Sequence, residues 1–180
     1  EEICASAEEL APGLYPDLRR AARGIRRQLP RSGTLQTTAL IHEAYLKVMR
    51  GGPWASQRHF LAAAAVAMRH VLIDQARSRS RLRRGEGGVP MSLEDALDAL
   101  EDHSLWSAGD GEVELAIGEA LDELAKIEPR LARVVECRYF AGYTEAETAD
   151  ILGVADRTVR RDWVKARAWL QHRLADYSAA

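Results

Sequence analysis

The sequence predicts an all-α protein: two small helical domains joined by an acidic flexible linker, the second containing a helix-turn-helix. Two general observations and one local motif predict it. Apolar residues recur at helical spacing through most of the 180 residues, and no stretch shows convincing period-2 alternation. Aromatic residues make up only 6% of a chain that is 47% hydrophobic, with Leu and Ala prominent, which favours packed helices over sheet. Near the C-terminus, a capping box and a glycine turn separate a short helical pattern from a longer one.

The first predicted helix runs from Leu10 to Leu29, with Leu14, Leu18, Ala21 and Ile25 on one face and five arginines around the rest. Pro30-Arg-Ser-Gly33 ends it. The second starts at Thr37 or Thr38, carries Leu40, Ile41, Ala44, Tyr45 and Val48, and stops at Gly51-Gly52-Pro53. The third spans Ser56 to Leu82. Phe60, Ala64, Ala67 and Val71 form one stripe, and Leu61, Ala65, Met68 and Leu72 form its neighbour, so partners must cover it on more than one side. Its far end is a run of positive charge from Arg77 through Arg81 to Arg84, a match for phosphate when carried on a held helix and otherwise a solvated tail. Gly85-Glu-Gly-Gly88 then breaks the helix.

Residues 85–111 read as the linker between an N-terminal domain, 1–84, and a C-terminal one, 112–180. Helices resume with Val113, Ile117, Leu121 and Leu124, end before Pro129, and restart with Leu131, Val134, Val135 and Arg138. Thr144-Glu-Ala-Glu147 is the capping box, and Gly153 supplies the left-handed exit of the short helix it opens. The last helix begins near Asp156. Val159, Trp163, Ala166 and Leu170 share one stripe while Arg157, Arg161 and Lys165 share another, the pattern of a helix-turn-helix with a basic outer face.

The net charge of −2 divides unevenly. Between Gly85 and Glu128 stand 13 acidic residues against the single Lys126; the rest of the chain holds 14 acids against 24 bases. The chain is a basic body interrupted by an acidic segment, as a nucleic-acid binder with a solvated spacer would be. The segment Glu86–Glu114 is either that spacer or a strap that folds back on the basic surfaces. No apolar run approaches the roughly 18 residues of a membrane span, and no secretory pattern opens the chain. The chain starts without Met, so preceding residues are expected. Cys4 and Cys137 belong to no metal-binding pattern and read as free thiols of a reduced cytoplasmic setting. No nucleophile, phosphate-loop or metalloprotease motif occurs, and His42-Glu43 reads as a surface pair, so no enzyme, cofactor or metal is expected.

With these parts in order, the chain resembles the bacterial RNA polymerase sigma factors of the extracytoplasmic-function (ECF) group. The likeness rests on Thr34–Val48, on Met68-Arg-His-Val-Leu-Ile-Asp-Gln-Ala-Arg77, and on the helix-turn-helix preceded by Arg138-Tyr-Phe-Ala-Gly142. The resemblance implies promoter DNA and core RNA polymerase, through its β′ clamp and β flap, as partners. It assigns the clamp contact to Leu40, Ile41, His42, Glu43, Tyr45 and Lys47. It assigns the −10 element to Arg69, His70, Asp74, Arg77, Arg81 and Arg84, and the −35 element to Arg157, Thr158, Arg160, Arg161 and Lys165. The chain departs from the family pattern in three places. His70 stands where many relatives have Asn, and Ala155 stands where many have a capping Ser, leaving Asp156 to cap. The clamp helix opens with Gln36-Thr37-Thr38-Ala39 where relatives carry several acids. A phosphate on Thr37 or Thr38 would restore negative charge at a helix start that favours it; the plainer role of either is an N-cap. A Ser/Thr kinase or an anti-sigma protein is a candidate regulator. The competing functions are a free-standing helix-turn-helix regulator that binds duplex DNA as a dimer, and a helical adaptor that binds a partner through the acidic segment.

Overall fold

The computed structural model describes residues 37–50, 54, 56–83 and 112–178. The predicted helix at Leu10–Leu29, Cys4, Arg84 and the linker 85–111 lie outside the described residues, and of Thr37, Thr38, Leu40 and Ile41 only the backbone is described. Everything described that is regular is helical.

Helix α1, Thr37–Met49, buries Ala44 and Val48 against α2, Gln57–Arg83. The start of α2 is set by Ser56, whose Oγ accepts a hydrogen bond from the His59 backbone N–H at 3.2 Å. Both apolar stripes of α2 are buried, from Phe60 to Leu72. The partners are α1 on one side and, on the other, α3 (Glu112–Ile127), a π-helical turn (Glu136–Phe140) and α5 (Glu145–Leu152). The two predicted units therefore share one continuous core, which runs from Ala44 through Met68, Leu121 and Phe140 to Leu170.

Pro129 opens α4, Pro129–Val135, where a missing N–H costs nothing. The chain does not continue as a plain α-helix to Arg138 as the apolar spacing suggests. It widens into the π-helical turn, in which the Ala141 N–H reaches back to the Glu136 carbonyl at 2.9 Å. The extra residue turns Tyr139 and Phe140 fully into the core, edge to face at 5.0 Å, and Glu136 toward α2. The last helix, α6, spans Asp156–Ser178. Among the described residues, no helix is long and apolar enough to cross a membrane and no acid–histidine–cysteine group is arranged to hold a metal ion. Cys137 is a free, buried thiol, pushed up to about 12 by burial first and by the neighbouring Glu136 second.

Candidate nucleic-acid interface

The helix-turn-helix forms as its local signals dictate. Thr144 Oγ1 accepts from the Glu147 N–H at 3.2 Å, and the Glu147 carboxylate accepts from the Thr144 N–H at 2.8 Å, so two free donors of α5 are satisfied. Gly153 takes φ 65°, ψ 35°, and the Val154 N–H closes the turn on the Ala149 carbonyl. Val134, Ala149 and Val159 form a small core between α4, α5 and α6. The Ala155 carbonyl accepts the first helical bonds of α6, and Asp156 sits in its first turn, where a negative charge complements the helix dipole.

This packing leaves Arg157, Arg160, Arg161 and Lys165 exposed along one side of α6, with Thr158 half-buried among them. They are not electrostatically alike. Arg157 and Lys165 have no ion-pair partner among the described residues. Arg160 Nε lies 2.5 Å from the Glu145 carboxylate, and Arg161 Nε lies 3.4 Å from Asp162. Asp162 is 1% exposed and also accepts from Arg130 Nε of α4 at 2.6 Å. That bond and the attraction behind it push the Arg130 guanidinium further up. In the sequence, the one signal that Asp162 turns inward is its place on the buried stripe, three residues after Val159 and four before Ala166. Trp163 is only partly buried, with Arg138 over its ring at 5.0 Å from the centroid.

The residues assigned to the −10 element are less uniform. His70, Asp74, Arg77 and Arg81 are exposed on α2. Asp74 accepts from Lys47 of α1 at 2.9 Å and from Arg77 at 3.3 Å, so a residue assigned to polymerase and two assigned to DNA hold one another. His70 is exposed as a residue, but part of its imidazole is turned into the protein; the water lost there, first, and then the cationic Arg69 and Lys47 hold it below its ordinary range. Arg69 is different: it is 5% exposed, 2.5 Å from Asp122 of α3 and 3.4 Å from the buried Glu136. In this arrangement its guanidinium faces carboxylates and cannot meet a phosphate. Burial raises the Glu136 carboxyl above its usual range, against the opposing pull of Arg133 and Arg69. Nothing local in the sequence joins Arg69 to Asp122 and Glu136, which lie 53 and 67 positions away.

On the polymerase-facing side of the assignment, His42, Glu43 and Lys47 are exposed and Tyr45 half-buried, and the first turn of α1 carries no acidic residue. A cavity of about 180 Å³ lies where α1, α2 and α3 meet, lined by Lys47, Arg69, His70, Asp74, Gly118 and Asp122 among others. Its charges are already matched within the protein.

A family model described as ECF sigma factor matches residues 4–176. No curated protein and no solved structure shows a match. The matched region takes in both basic helices, the interposed acidic segment and the whole helix-turn-helix. On that extent of match, the chain belongs to the ECF sigma factor family.

Proposed function

We propose that this sigma factor, which its family gives a role in transcription initiation with core RNA polymerase and promoter DNA as partners, reads a two-element promoter in the cytoplasm through two separate basic surfaces. The observation that carries the reading is the exposed row Arg157, Arg160, Arg161 and Lys165 on the second helix of a correctly capped helix-turn-helix. Such a helix fits the major groove, where arginine pairs with guanine edges and lysine meets phosphate. Arg77 and Arg81 on α2, together with Arg84, serve the −10 element, and α1 meets the polymerase clamp.

The finer part of the proposal concerns control. A clamp-binding helix whose first turn carries no acid docks weakly on a basic partner, and phosphorylation of Thr37 or Thr38 by a Ser/Thr kinase supplies about −1.5 to −2 charge at that end. The test is the affinity of purified core polymerase for the unmodified chain, the phosphorylated chain and the Thr37→Ala/Thr38→Ala variant. Only the phosphorylated chain is expected to bind tightly. Equal, tight binding by all three would falsify the switch while leaving the sigma-factor role intact.

A further inference from the structure

We propose that Val164 of α6 is a specificity-determining residue, which reads the 5-methyl group of one thymine in the upstream promoter element. The inference rests on the two-surface reading above and deepens it: the cations of α6 bring the helix to DNA, and Val164 selects one base pair.

The first observation is exposure without packing. Val164 is 64% exposed and belongs to neither apolar cluster of the described residues. The other large apolar side chains exposed among them, Leu46 and Ile127, lie on α1 and α3, away from the helix-turn-helix. Valine is also a poor choice for a bare helix surface, because its branched Cβ loses χ1 freedom against the preceding turn. The fold gains little from this side chain, which is left to meet something from outside.

The second observation is position. Seven residues make about two helical turns, so Val164 stands over Arg157, with Arg160 and Arg161 on either side between them. All three arginines are exposed, as are Lys165 next along the chain and Ala168 one turn further on. A helix lying in the major groove brings base edges within reach of residues at i, i+3, i+4 and i+7. Positions 157, 160, 161 and 164 are such a set. A single apolar side chain therefore lies within a cationic face. That setting favours a polyanion over an apolar protein surface, which would strip water from the surrounding charges without pairing them.

The third is chemistry. The valine side chain can neither donate nor accept a hydrogen bond. The major-groove edges of base pairs present donors, acceptors and one apolar group, the thymine methyl. Against that methyl, Val164 takes apolar surface out of water on both sides of the contact. Against the amino group of cytosine it would cover a donor and leave it unpaired, which is costly. One side chain thus attracts thymine and rejects its competitor with no charge involved, while its arginine neighbours favour guanine acceptors and phosphates.

The test uses the full chain in complex with core polymerase, and promoter duplex enriched from a random pool by that complex. Each thymidine of the upstream element is replaced in turn by deoxyuridine, which removes the methyl group and keeps every hydrogen-bonding group. At one position the dissociation constant should rise about three- to fivefold, the effect of returning one methyl contact to water. For Val164→Ala the same replacement should change nothing. The variant's own loss on the unmodified duplex should match that rise and leave the salt dependence as it was. At the sensitive position, 5-methylcytosine paired with guanine should bind more tightly than plain cytosine with Val164 present, and no more tightly with Val164→Ala. Urea denaturation of Val164→Ala should show no loss of stability. No methyl-sensitive thymine, a sensitivity that persists in Val164→Ala, or a clear loss of stability overturns the proposal and leaves the sigma-factor reading standing, because the complex still selects its duplex. Failure of the complex to enrich any sequence overturns that reading, and this proposal with it.

Discussion

Arg157 and Lys165 stand free at the surface of α6, whereas Arg160 and Arg161 each lie beside a carboxylate. The four should therefore respond differently to substitution. A side chain that reads a base costs about 1–3 kcal/mol of affinity when removed and relaxes preference at one promoter position; one that meets phosphate weakens all sequences alike and flattens the salt dependence. If Arg160 contacts DNA as proposed, it must first leave Glu145, so Glu145→Gln should raise affinity for upstream-element duplex while Arg157→Ala lowers it. Titration of labelled duplex at several salt concentrations separates these effects, and no loss from either Arg157→Ala or Arg161→Ala would mean that the wrong face was chosen. The exposed arginines of α6 were legible because a helical stripe is a local pattern. The burial of Arg69 was not, because α3 and the π-helical turn that cover it are distant in sequence and nothing in a basic run distinguishes the residue that turns inward.

At the scale of elements, capping and turn signals held because each is satisfied within a few residues. Gly153 occupies a left-handed conformation with nothing within 4 Å of an added Cβ, so Gly153→Ala carries a backbone cost alone, about 1–2 kcal/mol. Thr144→Ala removes one half of the capping box and should cost about 1 kcal/mol. Trp163→Ala should cost about 2–3 kcal/mol, below the loss for a fully buried indole, because the ring is partly exposed and part of its attachment is the contact with Arg138. Arg130→Ala leaves the buried Asp162 with only the longer contact to Arg161, so it should destabilise more than Asp162→Asn, which removes the charge as well. Urea denaturation of the full chain ranks these variants; an Asp162→Asn loss larger than that of Arg130→Ala would contradict the pairing. The π-helical turn was illegible: its i to i+5 bond has no compositional mark, and Leu131, Val134 and Val135 fit an uninterrupted α-helix equally well.

For the whole molecule, the choice between spacer and strap for Glu86–Glu114 lies almost wholly outside the described residues, and the nearest acid–base contacts that are described come from α3, beyond that segment. Asp122 and Glu123, at the far end of the acidic stretch, engage Arg69 and Arg173; the bidentate bond from Arg173, at 2.6 and 2.9 Å, holds the Glu123 carboxyl below its ordinary range. The double apolar stripe of α2 showed that a second partner existed. It could not say that the partner was the other unit of the same chain, since a stripe records area to be buried and not what buries it. The central claim is that both basic surfaces serve one polymerase. Run-off transcription with purified core enzyme on a two-element promoter template, using the chain with and without phosphate on Thr37 or Thr38, tests it most directly. A specific transcript that core alone does not make, lost when either element is scrambled, is the predicted result. Absence of that transcript and of any complex with core in both phosphorylation states, at low salt, would contradict it.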